Sequence, residues 1–219
     1  MVHGVDVAVM ESATMTVLIE FPPMVSSPRR QRVIDAAAEV FSQLGYHGAS
    51  TRAIADRLGI KSASLYFHIT SKEHALEEVC SLGIQRAISY LIEAEEKGGG
   101  LAAKIRHFFF QQSQDFTKHA DYLNVTLHEG RYLQGEAKMR VAKLSAEFRV
   151  MLDRMFEEAQ ACGELHKAIT PQQARFVLSG TIRSIGEITA SGHPANFDQI
   201  MPGWTEAIIR GLLAHPKVN

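Results

Sequence analysis

The sequence predicts an all-α protein, and three observations carry that expectation. Apolar residues recur at three- and four-residue intervals along most of the chain, no segment sustains strand alternation, and Gly, Pro, Ser and Thr fall at the joints between the periodic runs. With 219 residues, 46% of them hydrophobic and 21% charged, the composition is that of an ordinary globular chain, which excludes disordered and fibrous classes. No apolar run approaches the roughly 18 residues that a membrane helix needs.

Residues 1–27 hold no Lys or Arg, carry the acids Asp6, Glu11 and Glu20, and end in Phe21-Pro22-Pro23. They lack the basic start and clean apolar stretch of a secretory signal, so a disordered leader and a cytoplasmic protein are expected, with Met24 a candidate natural start. Cys80 and Cys162 have no metal-ligand spacing and read as core thiols in a reducing compartment.

The first helix opens with Ser27 as N-cap and Pro28 at the first helical position. Val33, Ala36, Ala37, Val40, Phe41 and Leu44 form one stripe, and Gly45 ends it. A short helix over 51–58 stops at Gly59, and a second runs over 62–68. Thr70 and Glu73 have capping-box spacing and open a long helix to Lys97, with Leu76, Val79, Cys80, Ala87, Ile88 and Leu91 on its buried side. Gly98-Gly99-Gly100 breaks it. Five more helices are expected near 101–117, 120–133, 136–162, 171–190 and 198–214, separated by Gly135, Gly163, the Thr170/Gln173 capping box and Ser191-Gly192-His193-Pro194, about nine in all.

The two short helices and their glycine turn have helix-turn-helix form. Ala53, Ile54, Ala55, Leu58, Ile60 and Leu65 supply a small core, leaving Lys61, Ser62, Ala63, Ser64, Tyr66, Phe67 and His68 outside. Small residues let a helix approach the floor of a major groove, Ser hydroxyls can meet bases or phosphates, and a phenol can donate to a phosphate. Charge separates in the same place. Residues 28–74 carry seven basic residues against four acidic ones, a net of +3, so the rest of a chain whose total is -1 holds -4.

The stretch from Arg30 to Leu76, with Gly45-Tyr46, Thr51-x-x-Ile54-Ala55, Leu58-Gly59-Ile60, Ser64-Leu65-Tyr66-x-His68 and Ser71-Lys72-Glu73, closely resembles the DNA-binding domain of the TetR family of bacterial transcriptional repressors. The resemblance implies three divisions: the leader 1–27, a DNA-binding domain 28–74, and a helical effector-binding and dimerisation domain 75–219. It assigns 62–68 as the recognition helix and Arg29, Arg30, Thr51, Arg52, Lys61, Ser62, Ala63, Ser64, Tyr66, His68 and Lys72 as DNA contacts, with Lys72 on a backbone phosphate. This sequence has Ile69 where family members usually place an aromatic.

The family pattern implies a homodimer on a pseudo-palindromic double-stranded DNA operator. Phe176, Gly180, Arg183, Trp204, Ile208 and Leu212 on the last two helices are the expected dimer interface, with Ser179, Ser184 and Gly186 permitting close approach. The central helices would surround a small-molecule effector touched by His107, Phe110, Tyr122, His128, Arg131, Met151 and Met155. The segment His128-Glu129-Gly130-Arg131-Tyr132-Leu133 is similar to regulators that sense CoA thioesters, so an apolar, aromatic or CoA-thioester effector is expected. No cofactor is implied, and His128 and Glu129, adjacent rather than a turn apart, make a poor zinc pair. Two other readings remain open at this point: a structural DNA-binding protein without an effector, and an all-α enzyme. No catalytic constellation or phosphate-cradling loop of usable spacing supports the latter.

Overall fold

The computed structural model describes residues 27–190 and 197–214. The expectations for the leader before Ser27, for Met24 and for the Ser191–Pro194 joint lie outside the described residues. The elements of the described residues are all helices: α1 (Pro28–Gly48), α2 (Thr51–Leu58), α3 (Ser62–Leu65), α4 (Lys72–Lys97), α5 (Leu101–His128), a 3-10 turn (Gly130–Tyr132), α6 (Gly135–Ala161), α7 (Pro171–Ala190) and α8 (Phe197–Leu212).

Ser27 caps α1 as expected, its Oγ accepting from Arg30 N at 3.3 Å. The buried stripe runs from Val33 to Phe41, but Leu44 is 53% exposed because the helix is already leaving the core before Gly45 breaks it at φ +66°. Ser50 Oγ accepts from Ala53 N at 3.1 Å to start α2, and Gly59 ends it in the left-handed conformation that lets the chain turn into α3. The recognition segment is shorter than expected. Only residues 62–65 are α-helical, and 66–68 form a turn in which His68 N and Ile69 N both donate to Leu65 O, at 2.9 and 3.1 Å. Leu65 and Ile69, both fully buried, pin its two ends.

The N-cap of α4 is Ser71, one residue later than the capping-box spacing indicated, and the reciprocal bond of a box does not form. Ser71 Oγ accepts from His74 N at 3.0 Å, and His74 Nδ1 accepts from Thr70 N at 3.1 Å. Glu73 instead accepts from Gln134 N at 2.9 Å, tying α4 to the start of α6. The box at Thr170 and Gln173 forms as expected, at 2.9 and 3.2 Å. The two helices expected near 101–117 and 120–133 are one bent helix, α5, with its break in helical backbone at His119 (φ -139°, ψ 33°).

Two apolar cores result. The first joins α1, α2, α3 and the beginning of α4, through Val33, Phe41, Ile54, Leu65 and Leu76, to Tyr122, Val125 and Leu133 at the end of α5 and beyond. The second gathers Leu91, Ile105, Phe108, Phe109, Phe156 and Leu178 within the body. Two glycines permit close crossings there: a Cβ on Gly83 would lie 2.6 Å from Thr126 Oγ1, and one on Gly186 2.3 Å from Leu127 Cδ1. Gly186 therefore serves the intrachain approach of α7 to α5, not contact with a second copy.

Candidate nucleic-acid interface and ligand cavity

Lys61, Ser62, Ala63, Ser64 and Tyr66 are all exposed on the segment after Gly59, and Phe67 is 88% exposed beside them. Their scaffold is rigid because Ile54, Ala55 and Leu65 behind them are fully buried. Tyr66 Oη lies 3.3 Å from Thr51 Oγ1, bringing the start of α2 to the recognition segment. Arg52 is open to solvent, with Asp56 at 3.8 Å. Arg29 and Arg32 flank a recess of about 270 Å³ into which Ser64 and His68 face, so His68 turns back towards α1.

Two of the cations expected at DNA are held within the chain. Arg30 pairs with Glu78 of α4 at 2.8 Å. Lys72 Nζ donates to Tyr46 O at 2.8 Å and Ala49 O at 3.0 Å, and lies 4.3 Å from the Tyr46 ring centroid. Its place is the end of α1, where it satisfies carbonyls that the helix leaves unpaired.

The segment His128–Leu133 builds the junction between head and body. Glu129 Oε2 accepts from Tyr46 N at 2.6 Å, and the Tyr132 ring stacks on Tyr46 at 5.5 Å while His47 meets it edge-on at 4.5 Å. Burial, then the Glu73 carboxylate, holds the Tyr46 phenol above its ordinary pKa. Arg131 lies over the Tyr132 ring, and His128 Nε2 is buried without a hydrogen-bond partner.

A cavity of about 510 Å³ lies among α4, α5, α6 and α7. Ile84, Ala87, Phe116, Leu123, Leu127, Phe148 and Ile182 supply its apolar wall, and Arg149, Arg175 and Arg183 give it a cationic side. Arg175 is paired with Asp153 at 2.5 Å. Of the residues expected at an effector, Tyr122 alone is in this wall; burial, then the bond to Asp35, pushes its phenol pKa up. The rest lie elsewhere. His107 sits between Glu93 and Lys97, at 3.2 Å from each, and Phe110 is 61% exposed. Met155 is buried and Met151 packs against the same core, while His128 and Arg131 belong to the junction. Helical period identified these side chains as apolar or polar, but not which turn of a bent α5 faces the cavity. Arg175 and Arg183 could have been found as the two arginines of the largely apolar α7, whereas Arg149 stands among the many charged residues of α6 and leaves no such signal.

The outer face of α7 and α8 carries Phe176 (57% exposed), Val177 (45%), Gly180, Trp204 and Ile208 around a shallow recess. A Cβ on Gly180 would meet nothing within 4 Å, as an open helix face requires. Leu212, expected here, is buried with Ile209 in the chain's own core, one side of the α8 stripe having turned inward. Arg183 lies at the cavity, and Phe176 and Gly180 border both surfaces.

A short exposed reading segment on a helix-turn-helix, carried by an all-α body, defines the class of DNA-binding transcriptional regulators. Residues 33–79 match the bacterial regulatory proteins, tetR family, and residues 98–187 match the tetracyclin repressor-like C-terminal domain. The chain belongs to the TetR family. The HTH-type transcriptional regulator UidR of Escherichia coli (strain K12) is 27% identical over 192 residues, covering 86% of this chain and 94% of that one. The fatty acid metabolism regulator protein of Bacillus subtilis (strain 168) is 26% identical over 158 residues, covering 71% of this chain and 80% of that one. The fold is shared with the fatty acid degradation regulator FadR from Bacillus halodurans, at TM-score 0.73, 18% identity, and coverage of 85% of this chain and 97% of that one. It is shared equally with AibR in complex with isovaleryl coenzyme A and operator DNA, at TM-score 0.71, 20% identity, and coverage of 82% and 97%.

Proposed function

We propose that this protein is a cytoplasmic, homodimeric operator-binding repressor released from DNA by a small molecule in the 510 Å³ cavity. The observation that carries the reading is the group of exposed side chains Lys61, Ser62, Ser64, Tyr66 and Phe67, displayed by a segment whose Leu65 and Ile69 are fully buried. Lys61, Arg52, Thr51 and Tyr66 position the head on phosphates, the small residues Ser62, Ala63 and Ser64 meet base edges, and Phe67 suits a thymine methyl. Arg29 reaches the backbone from the start of α1. Lys72, Arg30 and His68 act indirectly, by fixing α1 against the rest of the head. The head is 28–74, and the remaining helices are the effector and dimerisation body. The α7–α8 face joins two copies so that two heads meet successive major grooves about 34–36 Å apart.

The cavity's chemistry suits an amphipathic anion, its chain against the apolar wall and its charge at Arg149 and Arg183. A CoA thioester has that character. The solved relatives include FadR from Bacillus subtilis in complex with stearoyl-CoA, which supports this class. For release, the ligand must bind the conformation that does not fit DNA more tightly than the one that does.

The test is selection of duplexes from a random library by the wild-type protein, followed by gel shifts with Lys61→Ala and Tyr66→Phe. One palindromic sequence should emerge, bound roughly a thousandfold better than random DNA, with both variants weakened. Recovery of no preferred sequence overturns the regulator reading. Binding of all duplexes alike favours a structural DNA-binding protein instead.

A further inference from the structure

A buried phenol stands where the cavity meets the head. Tyr122 is 3% exposed and lines the cavity, yet its hydroxyl is engaged by α1. Its Oη donates to Asp35 Oδ1 at 2.7 Å and accepts from Gln31 Nε2 at 3.0 Å. Gln31 Nε2 also donates to Asp35 Oδ1 at 2.9 Å, closing a ring of three hydrogen bonds. On the body side, the Arg86 guanidinium lies 4.6 Å from the phenol centroid and pairs at 3.2 Å with Asp115, itself a cavity-lining carboxylate. The bend of α5 falls at His119, whose ring meets Tyr122 edge-on at 6.0 Å.

We propose that Tyr122 is the positioning residue that reports cavity occupancy to the DNA-binding head, through Asp35 and Gln31 at the start of α1. The inference rests on the cavity being the ligand site. A group entering beside Phe116 and Leu123 must displace the ring, compete for Arg86 and Asp115, or leave both untouched. In the first case the hydroxyl moves, and it cannot move without breaking its bonds to α1 or drawing α1 with it. Gln31 lies between Arg30 and Arg32, so such a shift re-aims the basic start of α1 against the DNA backbone. Two further ties between α1 and α5 or its C-cap, Asn124 to Ser42 at 2.9 Å and Glu129 to Tyr46 N at 2.6 Å, are made by residues outside the cavity wall. Among these three ties, Tyr122 is thus the one that a ligand touches.

The experiment needs no identified ligand, because a side chain can fill the cavity. Ala87→Phe from α4 is introduced alone and with Tyr122→Phe, which keeps the ring and removes only the hydroxyl. Affinity for the selected operator is read by fluorescence anisotropy, with thermal melts to establish folding; Ser145→Leu from α6 replaces Ala87→Phe if that variant does not fold. Filling should change operator affinity by about tenfold when Tyr122 is present, towards the lower end of the usual range for coupled sites. In the Tyr122→Phe background the same filling should change it less than about twofold, a non-additivity that a merely structural hydrogen bond would not produce. Equal shifts in both backgrounds overturn the role of Tyr122 and leave the cavity reading standing. No shift from either filling variant with Tyr122 present overturns both.

Discussion

Replacing Lys72 with Met separates two roles that the sequence merges. The methionine keeps the apolar stem and removes the ammonium that joins Tyr46 O (2.8 Å), Ala49 O (3.0 Å) and the Tyr46 ring (4.3 Å). A hydrogen bond with one charged partner contributes about 1.5–3 kcal/mol, and a partly exposed cation–ring contact adds about 0.5–1 kcal/mol. The lower ends for two such bonds and the ring contact come to about 3.5 kcal/mol; Lys72 is only part-buried and water replaces some of what is lost, so a destabilisation of about 2–3 kcal/mol is expected. With a urea slope of about 1–3 kcal/mol per molar, the unfolding midpoint should fall by about 1 M. The assay is urea unfolding at fixed protein concentration, paired with operator binding at several salt concentrations. An unchanged midpoint, with a salt slope reduced by about one, would refute the clamp and establish Lys72 as a phosphate contact.

Two other outcomes follow from the same geometry. Ile208→Glu places a charge on the exposed α7–α8 face and should convert dimer to monomer in sedimentation at micromolar concentration, since a hot-spot loss of about 2 kcal/mol or more raises the dissociation constant roughly thirtyfold; a variant that stays dimeric puts the interface elsewhere. His119 has its pKa lowered, first by burial and then by the Arg86 guanidinium. The unfolded chain therefore binds the proton more readily, and the contribution of His119, full above an unfolded pKa of about 6.5, is lost as pH falls towards the folded value. His119→Asn should flatten stability between about pH 7.5 and 5.5 relative to wild type. An unaltered slope would count against a half-buried, neutral imidazole at the α5 bend.

The head was legible because its signals are local. Ser27 and Pro28, Gly59, and the apolar positions Ile54, Ala55 and Leu65 each specify backbone or burial within a few residues of themselves. The N-cap of α4 slipped by one because Ser71 can cap the helix as readily as Thr70, and the choice depends on Gln134, whose amide takes the Glu73 carboxylate from 61 positions away. The cavity was the least legible feature. That Tyr122 faces it while Phe110 and Met155 do not depends on the bend at His119 and on the approach of α7 to α5 at Gly186, neither of which leaves a periodic trace. The same limit placed Leu212 on the wrong side of α8: a stripe of Trp204, Ile208, Ile209 and Leu212 shows that the helix has apolar partners, but not how they divide between its own chain and a second copy.

The first apolar core bears on how this protein can be re-engineered. Val33, Phe41 and Ile54 share it with Tyr122, Val125 and Leu133, so no plane separates the head from the body at residue 74. A hybrid sensor made by grafting this body beneath a different reading head would be cut through this shared apolar core. A junction that also carries matching partners for residues 122–133 should preserve ligand response. A cut in the loop before α4 alone should yield a molecule that folds poorly or grips DNA without listening to its cavity.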